Sequence, residues 1–106
     1  MSKVYVGIRK SDLDPQVTVD GRKLFNYDRF SEGHEWGYAG TGPRALALSI
    51  LSDHRGLRPH ELTDDEREPI EALSRRFRDD VVSVLPREGF RLTTEEIDNW
   101  LAHQTP

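Results

Sequence analysis

Three glycines in a short aromatic loop are the first residues here with a chemical use. Trp36-Gly37-Tyr38-Ala39-Gly40-Thr41-Gly42-Pro43 runs straight into Arg44-Ala45-Leu46-Ala47-Leu48-Ser49-Ile50-Leu51. Backbone N–H groups at a helix start, reached through glycines, can hold a phosphate or a carboxylate. Gly40, Thr41, Gly42 and Arg44 would form such an anion site. The lysine of a Walker loop is missing, because Pro43, Arg44 and Ala45 follow Gly42, and the proline also removes one donor. The dinucleotide fingerprint fails too, since it requires two further residues and then glycine. The simpler use of Trp36, Gly37, Tyr38, Gly40, Gly42 and Pro43 is architectural. Glycines there let two aromatic rings pack tightly as the chain turns into a buried helix.

The histidines do not converge on a second site. His34-Glu35 begins like a zinc-protease helix, but Tyr38 stands where the second histidine belongs. His54 and His60, with Asp53 and Glu61 nearby, flank a proline-containing connection; they read as solvated loop residues rather than metal ligands. His103 lies near the carboxyl end and is expected to be exposed. No serine occupies a nucleophile elbow. We therefore expect no catalytic residue, no metal and no cofactor, and hence no enzyme.

Arg75, Arg76 and Arg78 form the densest basic cluster and are the candidates for contact with an acidic partner or nucleic acid. They share their segment with Glu71, Asp79 and Asp80, and Glu71 with Arg75 has the spacing of a weak helical ion pair. The whole chain carries a net charge of −4 from 19 acidic and 15 basic residues. That balance disfavours indiscriminate nucleic-acid binding without excluding a local basic stripe. Cysteine is absent, which removes disulfides, thiolate metal sites and cysteine nucleophiles. No apolar run approaches the ~20 residues of a membrane span, and the amino end does not read as a signal peptide. The expectation is a soluble, cytoplasmic protein.

These residues need elements to position them. Val4, Val6 and Ile8 alternate with Tyr5, Gly7 and Arg9, the period of a half-buried strand. Asp20-Gly21 between two strand-like runs signals a type I′ hairpin with Val17 opposite Leu24. Residues 3–25 thus read as a three-strand antiparallel meander. Tyr27 and Phe30 are expected under a surface loop, as core contacts. A first helix spans 43–54, with Pro43 at its first position and Gly42, or Thr41, as N-cap. It is apolar almost all round, so several elements should cover it.

Ile70, Leu73, Phe77, Val81 and Val84 mark one stripe of a second helix. Thr63 and Glu66 have capping-box spacing, but Pro69 would then lie inside the helix. A short first turn and a main helix over 69–85 is the preferred compromise. Phe90-Arg91-Leu92 suits a short further strand. Thr93 with Glu96, and Leu92 with Ile97, match a capping box and a hydrophobic staple for a third helix over 94–103. The sum is one α+β domain, residues 1–106, with a small sheet packed against three helices.

The stretch Gly33-His34-Glu35-Trp36-Gly37-Tyr38-Ala39-Gly40-Thr41-Gly42-Pro43, followed by Ala45-Leu46-Ala47-Leu48, resembles a small domain family of unknown function. Its signature is Trp-Gly-Tyr-Gly-Gly-Ser-Gly-Pro before an alanine- and leucine-rich helix. Ala39 replaces the first paired glycine and Thr41 replaces the serine. The similarity runs from about residue 30 to 102. It implies a shared fold and a bacterial, phage or mobile-element context, and it supplies no reaction. The leading expectation is a non-enzymatic protein-interaction module, such as an inhibitor of a host defence or nucleic-acid-processing complex. Nucleic-acid binding through the arginine-rich helix face is the first alternative. Anion or nucleotide binding at the glycine loop is the second. Another protein is the expected partner, and one chain does not reveal the oligomeric state.

Overall fold

Asp20 and Gly21 set the order of the sheet. Both have positive φ, 50° and 84°, so they form the two-residue turn whose twist suits a hairpin. In the computed structural model, which describes residues 2–104 except 12, 29, 30, 32, 59 and 61, strand β2 (Pro15–Val19) thereby folds back on β3 (Arg22–Lys23). Val19 faces Arg22, and the Leu24 N–H donates to the Val17 carbonyl at 3.0 Å. Strands β1 (Val4–Arg9) and β4 (Gly89–Thr93) complete an antiparallel sheet in the order β3-β2-β1-β4. The expected meander is present, and the short run at 90–92 is a full fourth strand beside β1.

The core side of β1 is the less apolar one. Tyr5 and Gly7 are buried with their cross-strand partners Val19, Val17, Leu92 and Phe90. Val4 and Val6 are half-buried and Ile8 is 46% exposed on the other side. Gly7 is required here because a Cβ would collide with the ring of Phe90. Phe90 uses that space to reach the signature loop.

Helix α1 (Thr41–His54) begins two residues before the expected start, with Gly40 as N-cap. Pro43 is its third residue, still within the first turn, where an N–H has no intrahelical partner. Leu46, Ala47 and Ile50 are fully buried, so the helix is covered on several sides as its composition requires. Helix α2 (Asp64–Asp80) corrects the expected 69–85 span. Thr63 and Glu66 do form the capping box, and Pro69 lies inside the helix. Asp65 and Pro69 are exposed, so water can take the carbonyl that proline leaves without a donor. The helix stops at Asp80, and a 3₁₀ turn, Val82–Val84, buries Val82 while leaving Val84 72% exposed. Val84 is therefore not on the buried stripe.

Helix α3 (Thr94–Ala102) starts with the predicted capping box at Thr93 and Glu96. Leu92 and Ile97 are both buried around it, and Trp100 meets Phe77 edge-on at 5.0 Å between ring centroids. The helices lie against the Tyr5 side of the sheet. Tyr27 is buried, donating its hydroxyl to the Leu57 carbonyl at 2.8 Å. Phe30 and Glu61 lie outside the described residues.

Candidate functional site

Trp36 is fully enclosed, and its ring organises the signature loop. The indole N–H donates to the Pro86 carbonyl at 3.0 Å, and the ring meets Phe90 edge-on at 5.0 Å. Gly37 has φ +88° and donates its N–H to the Val82 carbonyl at 3.0 Å. The loop is thus stitched to the segment between α2 and β4. Tyr38 differs from expectation: its ring is 45% exposed rather than packed inside. It crosses Gly40, where a Cβ would lie 2.8 Å from the ring, and its hydroxyl approaches Gly42. The Glu35 stem also crosses Gly42. Gly40 and Gly42 are small because these two side chains fold over them. Ala39 has no positive φ, so an alanine sits there without backbone strain.

Arg9 secures this loop to the sheet. Its guanidinium grips both Glu35 carboxylate oxygens, at 2.6 and 3.1 Å, and lies 4.4 Å from the Trp36 ring centroid. Its Nε–H donates to the Arg87 carbonyl. The hydrogen bond from Arg9 holds the Glu35 carboxyl below its ordinary range. Around the anion candidates, Thr41 and Gly42 supply first-turn N–H groups, Pro43 supplies none, and the Gly42 carbonyl accepts from the Glu35 N–H at 3.3 Å. Arg44 turns away to the buried Asp28 at 3.4 Å. Gly40, Thr41 and Gly42 are contiguous, but Tyr38 and Glu35 fold over the two glycines and Arg44 is not brought to them.

A second polar centre joins the opposite end of β1 to α1. The buried Asp53 carboxylate accepts from the Tyr5 hydroxyl at 2.7 Å, from Lys3 Nζ at 2.9 Å and from Arg22 at 3.1 Å. Burial opposes its ionisation, but the bonds from Lys3, Tyr5 and Arg22 together outweigh that and keep its pKa low. Burial first, and then the bond to Asp53, pushes the Tyr5 hydroxyl far above its ordinary value. Asp53 is therefore a tie between strand, hairpin and helix, not a loop residue.

The histidines are dispersed. His34 Nε2 contacts Ser49 Oγ at 2.9 Å, and the same oxygen accepts from the Tyr27 N–H at 3.0 Å. Burial, then the nearby Lys23 charge, lowers the His34 pKa to about 4. His54 is not a loop residue either; it ends α1, is mostly buried and meets Asp98 of α3 at 2.8 Å. His60 bonds Glu66 at 2.9 Å, and that bond raises its pKa. His103 is exposed, with Nδ1 2.7 Å from the Asn99 carbonyl. Among the described residues no group of three or more metal-binding side chains gathers.

Of the three arginines singled out on α2, Arg75 pairs with Glu71 at 3.3 Å and Arg78 with Asp79 at 2.9 Å. Arg75 and Arg76 are exposed. Pattern reading overlooked a different surface, the outer face of the sheet. Cross-strand pairing places Val4, Val6, Ile8, Gln16, Thr18, Lys23, Arg91 and Thr93 there together. The β1 alternation hinted at it, but only the register shows that Lys23 and Arg91 flank the apolar stripe.

The architecture is an α+β domain: a four-stranded antiparallel sheet carries its helices on one face, and among the described residues no helix covers the other. The chain belongs to the family of unknown function DUF6166, whose match covers residues 5–103. No curated protein and no solved structure shows significant similarity to it. Among the described residues no helix is long and apolar enough to cross a membrane.

Proposed function

We propose that this protein is a non-enzymatic protein-interaction module and that it docks through the outer face of its sheet. The observation that carries this reading is the make-up of that face. Val4, Val6 and Ile8 form an apolar stripe along β1, with Lys23 on one flank and Arg91 on the other. No carboxylate occupies any of its paired positions, although the chain as a whole is acidic, and the two carboxylates at its margins, Asp20 and Asp14, accept hydrogen bonds from the Val4 N–H and the Gln16 side chain. A partner surface of apolar side chains bordered by Asp or Glu complements it, the charges steering approach and register. Single-stranded nucleic acid favours aromatic stacking platforms, and this face carries none.

The phage or mobile-element setting implied by the signature resemblance makes a host defence or nucleic-acid-processing complex the first class of partner to test. Two variants separate the surfaces. Ile8→Asp with Arg91→Glu alters the sheet face, while Arg75→Glu with Arg76→Glu alters α2. Both should melt within a few degrees of the parent, because surface changes cost little. The partner captured by the parent should be lost from the first variant and kept by the second. Equal capture by the sheet-face variant would refute docking at this surface.

A further inference from the structure

The two edges of the sheet are closed differently. One edge is β3, which has two residues, both charged and exposed, and beyond it Pro15 gives β2 no N–H to offer. Short length, charge and proline are the usual protections of an edge strand. The other edge is β4, five residues long, with no proline, no break in its register with β1, and no strand beyond it among the described residues.

Hydrogen-bond alternation fixes which groups of β4 face that open side. The Thr94 N–H donates to the Lys3 carbonyl at 3.0 Å, so Leu92 and Phe90, opposite Tyr5 and Gly7, are the next positions bonded to β1. Gly89, Arg91 and Thr93 therefore turn their backbone groups outward. Both ends are engaged already: the Gly89 N–H donates to the Pro86 carbonyl at 3.2 Å and the Thr93 N–H to Glu96 Oε1 at 3.1 Å. Between them, the Arg91 N–H, the Arg91 carbonyl and the Gly89 carbonyl have no hydrogen-bond partner among the described residues.

Those groups are what one antiparallel strand takes. The residue opposite Arg91 exchanges both bonds with it, and the N–H two residues further on donates to the Gly89 carbonyl. Side chains select the strand. Arg91 is exposed, stands on the outer face opposite Val6 and has no carboxylate partner among the described residues. An Asp or Glu facing it supplies one, and opposite charges at facing positions are favourable. Residues on either side of that acid fall beside Phe90 and Leu92, where apolar side chains fit. A second copy paired about Arg91 would set two arginines opposite each other, which is unfavourable.

We propose that β4 receives an extended segment of a partner protein as a further antiparallel strand, with an Asp or Glu of that segment facing Arg91 between two apolar residues. This rests on the reading of the protein as an interaction module and names the chemistry of its partner.

Hydrogen exchange on the free chain tests the edge first: the Arg91 amide should exchange at least about a hundredfold faster than the Phe90 and Leu92 amides. Equal protection, or protection that grows as the chain dimerises, would overturn the proposal. The probe for binding is a displayed library of random peptides about ten residues long, enough for an ordinary strand. Selected binders should carry Asp or Glu between two apolar residues. N-methylation of that acid should weaken the best binder at least about tenfold, and N-methylation of its neighbour should not. Arg91→Pro should bind about tenfold more weakly than Arg91→Thr, which loses the charge but keeps the N–H, while the β1 pairing survives in both. Binding lost in Ile8→Asp but equal in the two Arg91 variants would keep the outer face and reject strand addition; the reverse pattern would keep strand addition and reject the outer face. No binder tighter than ~100 µM, or one indifferent to the position of the N-methyl group, would also overturn it.

Discussion

At the scale of single residues, His34 shows how burial turns a titratable group into a stability switch. Its folded pKa, about 4, lies below the ordinary value of 6.5 that its unfolded form would show. The unfolded chain therefore takes up a proton before the folded one does. Stability from this site is complete above pH 6.5 and falls as pH drops from there toward 4. The gap corresponds to about 3 kcal/mol between those limits. His60 acts in the opposite sense, because Glu66 raises its pKa, but that pair faces water and is screened. Glu35 and Asp53, whose pKa values are lowered, add their own losses only below the ordinary carboxylate range. Urea unfolding at half-unit steps should thus show a decline between pH 6.5 and 4.5 that His34→Gln flattens. A parent curve level across that window would mean that His34 is hydrated and not buried.

At the scale of elements, α2 offers the sharpest test, because it keeps a proline where helices rarely do. Pro69 lacks the N–H that would bond the Asp65 carbonyl, and its ring crowds that carbonyl. Pro69→Ala restores the bond at an exposed site. It also frees the unfolded chain, which offsets part of the gain. The net expectation is a stabilisation of about 1–2 kcal/mol, read as a higher urea midpoint at unchanged slope. An unchanged or lower midpoint would show that the helix already relaxes around the ring at no cost. The same helix shows what a sequence discloses. Thr63 and Glu66 announced its start correctly, and only the general rule against interior proline argued otherwise. The Asp20-Gly21 hairpin and the Thr93 cap were equally legible, since each depends on residues within four positions. The buried face of β1 was not. Alternation reveals a strand but not which side meets the helices, and Tyr5 goes inward because Asp53, 48 positions away, receives its hydroxyl.

At the scale of the whole molecule, the sheet is fastened to the helical layer and its loops by two ion centres, one toward each end of β1. Lys3 and Tyr5 engage Asp53 of α1, and Arg9 engages Glu35 beside the enclosed Trp36. Tyr5 and Arg9 are four steps apart along the strand, about 13 Å at ~3.3 Å per residue. Sites farther apart than ~7–10 Å with no shared partner usually contribute independently. Asp53→Asn and Glu35→Gln keep side-chain size while removing the charge that each cluster surrounds, so each should cost about 1–3 kcal/mol. Their effects should then add to within about 0.5 kcal/mol in the double variant. Additivity would mean that either end of the strand can loosen while the other holds, leaving the outer face presented by a partly anchored sheet. An interaction above ~1 kcal/mol between the two substitutions would contradict this picture. It would make β1 a rigid lever, so that a partner seated on Val6 and Ile8 would feel both centres at once.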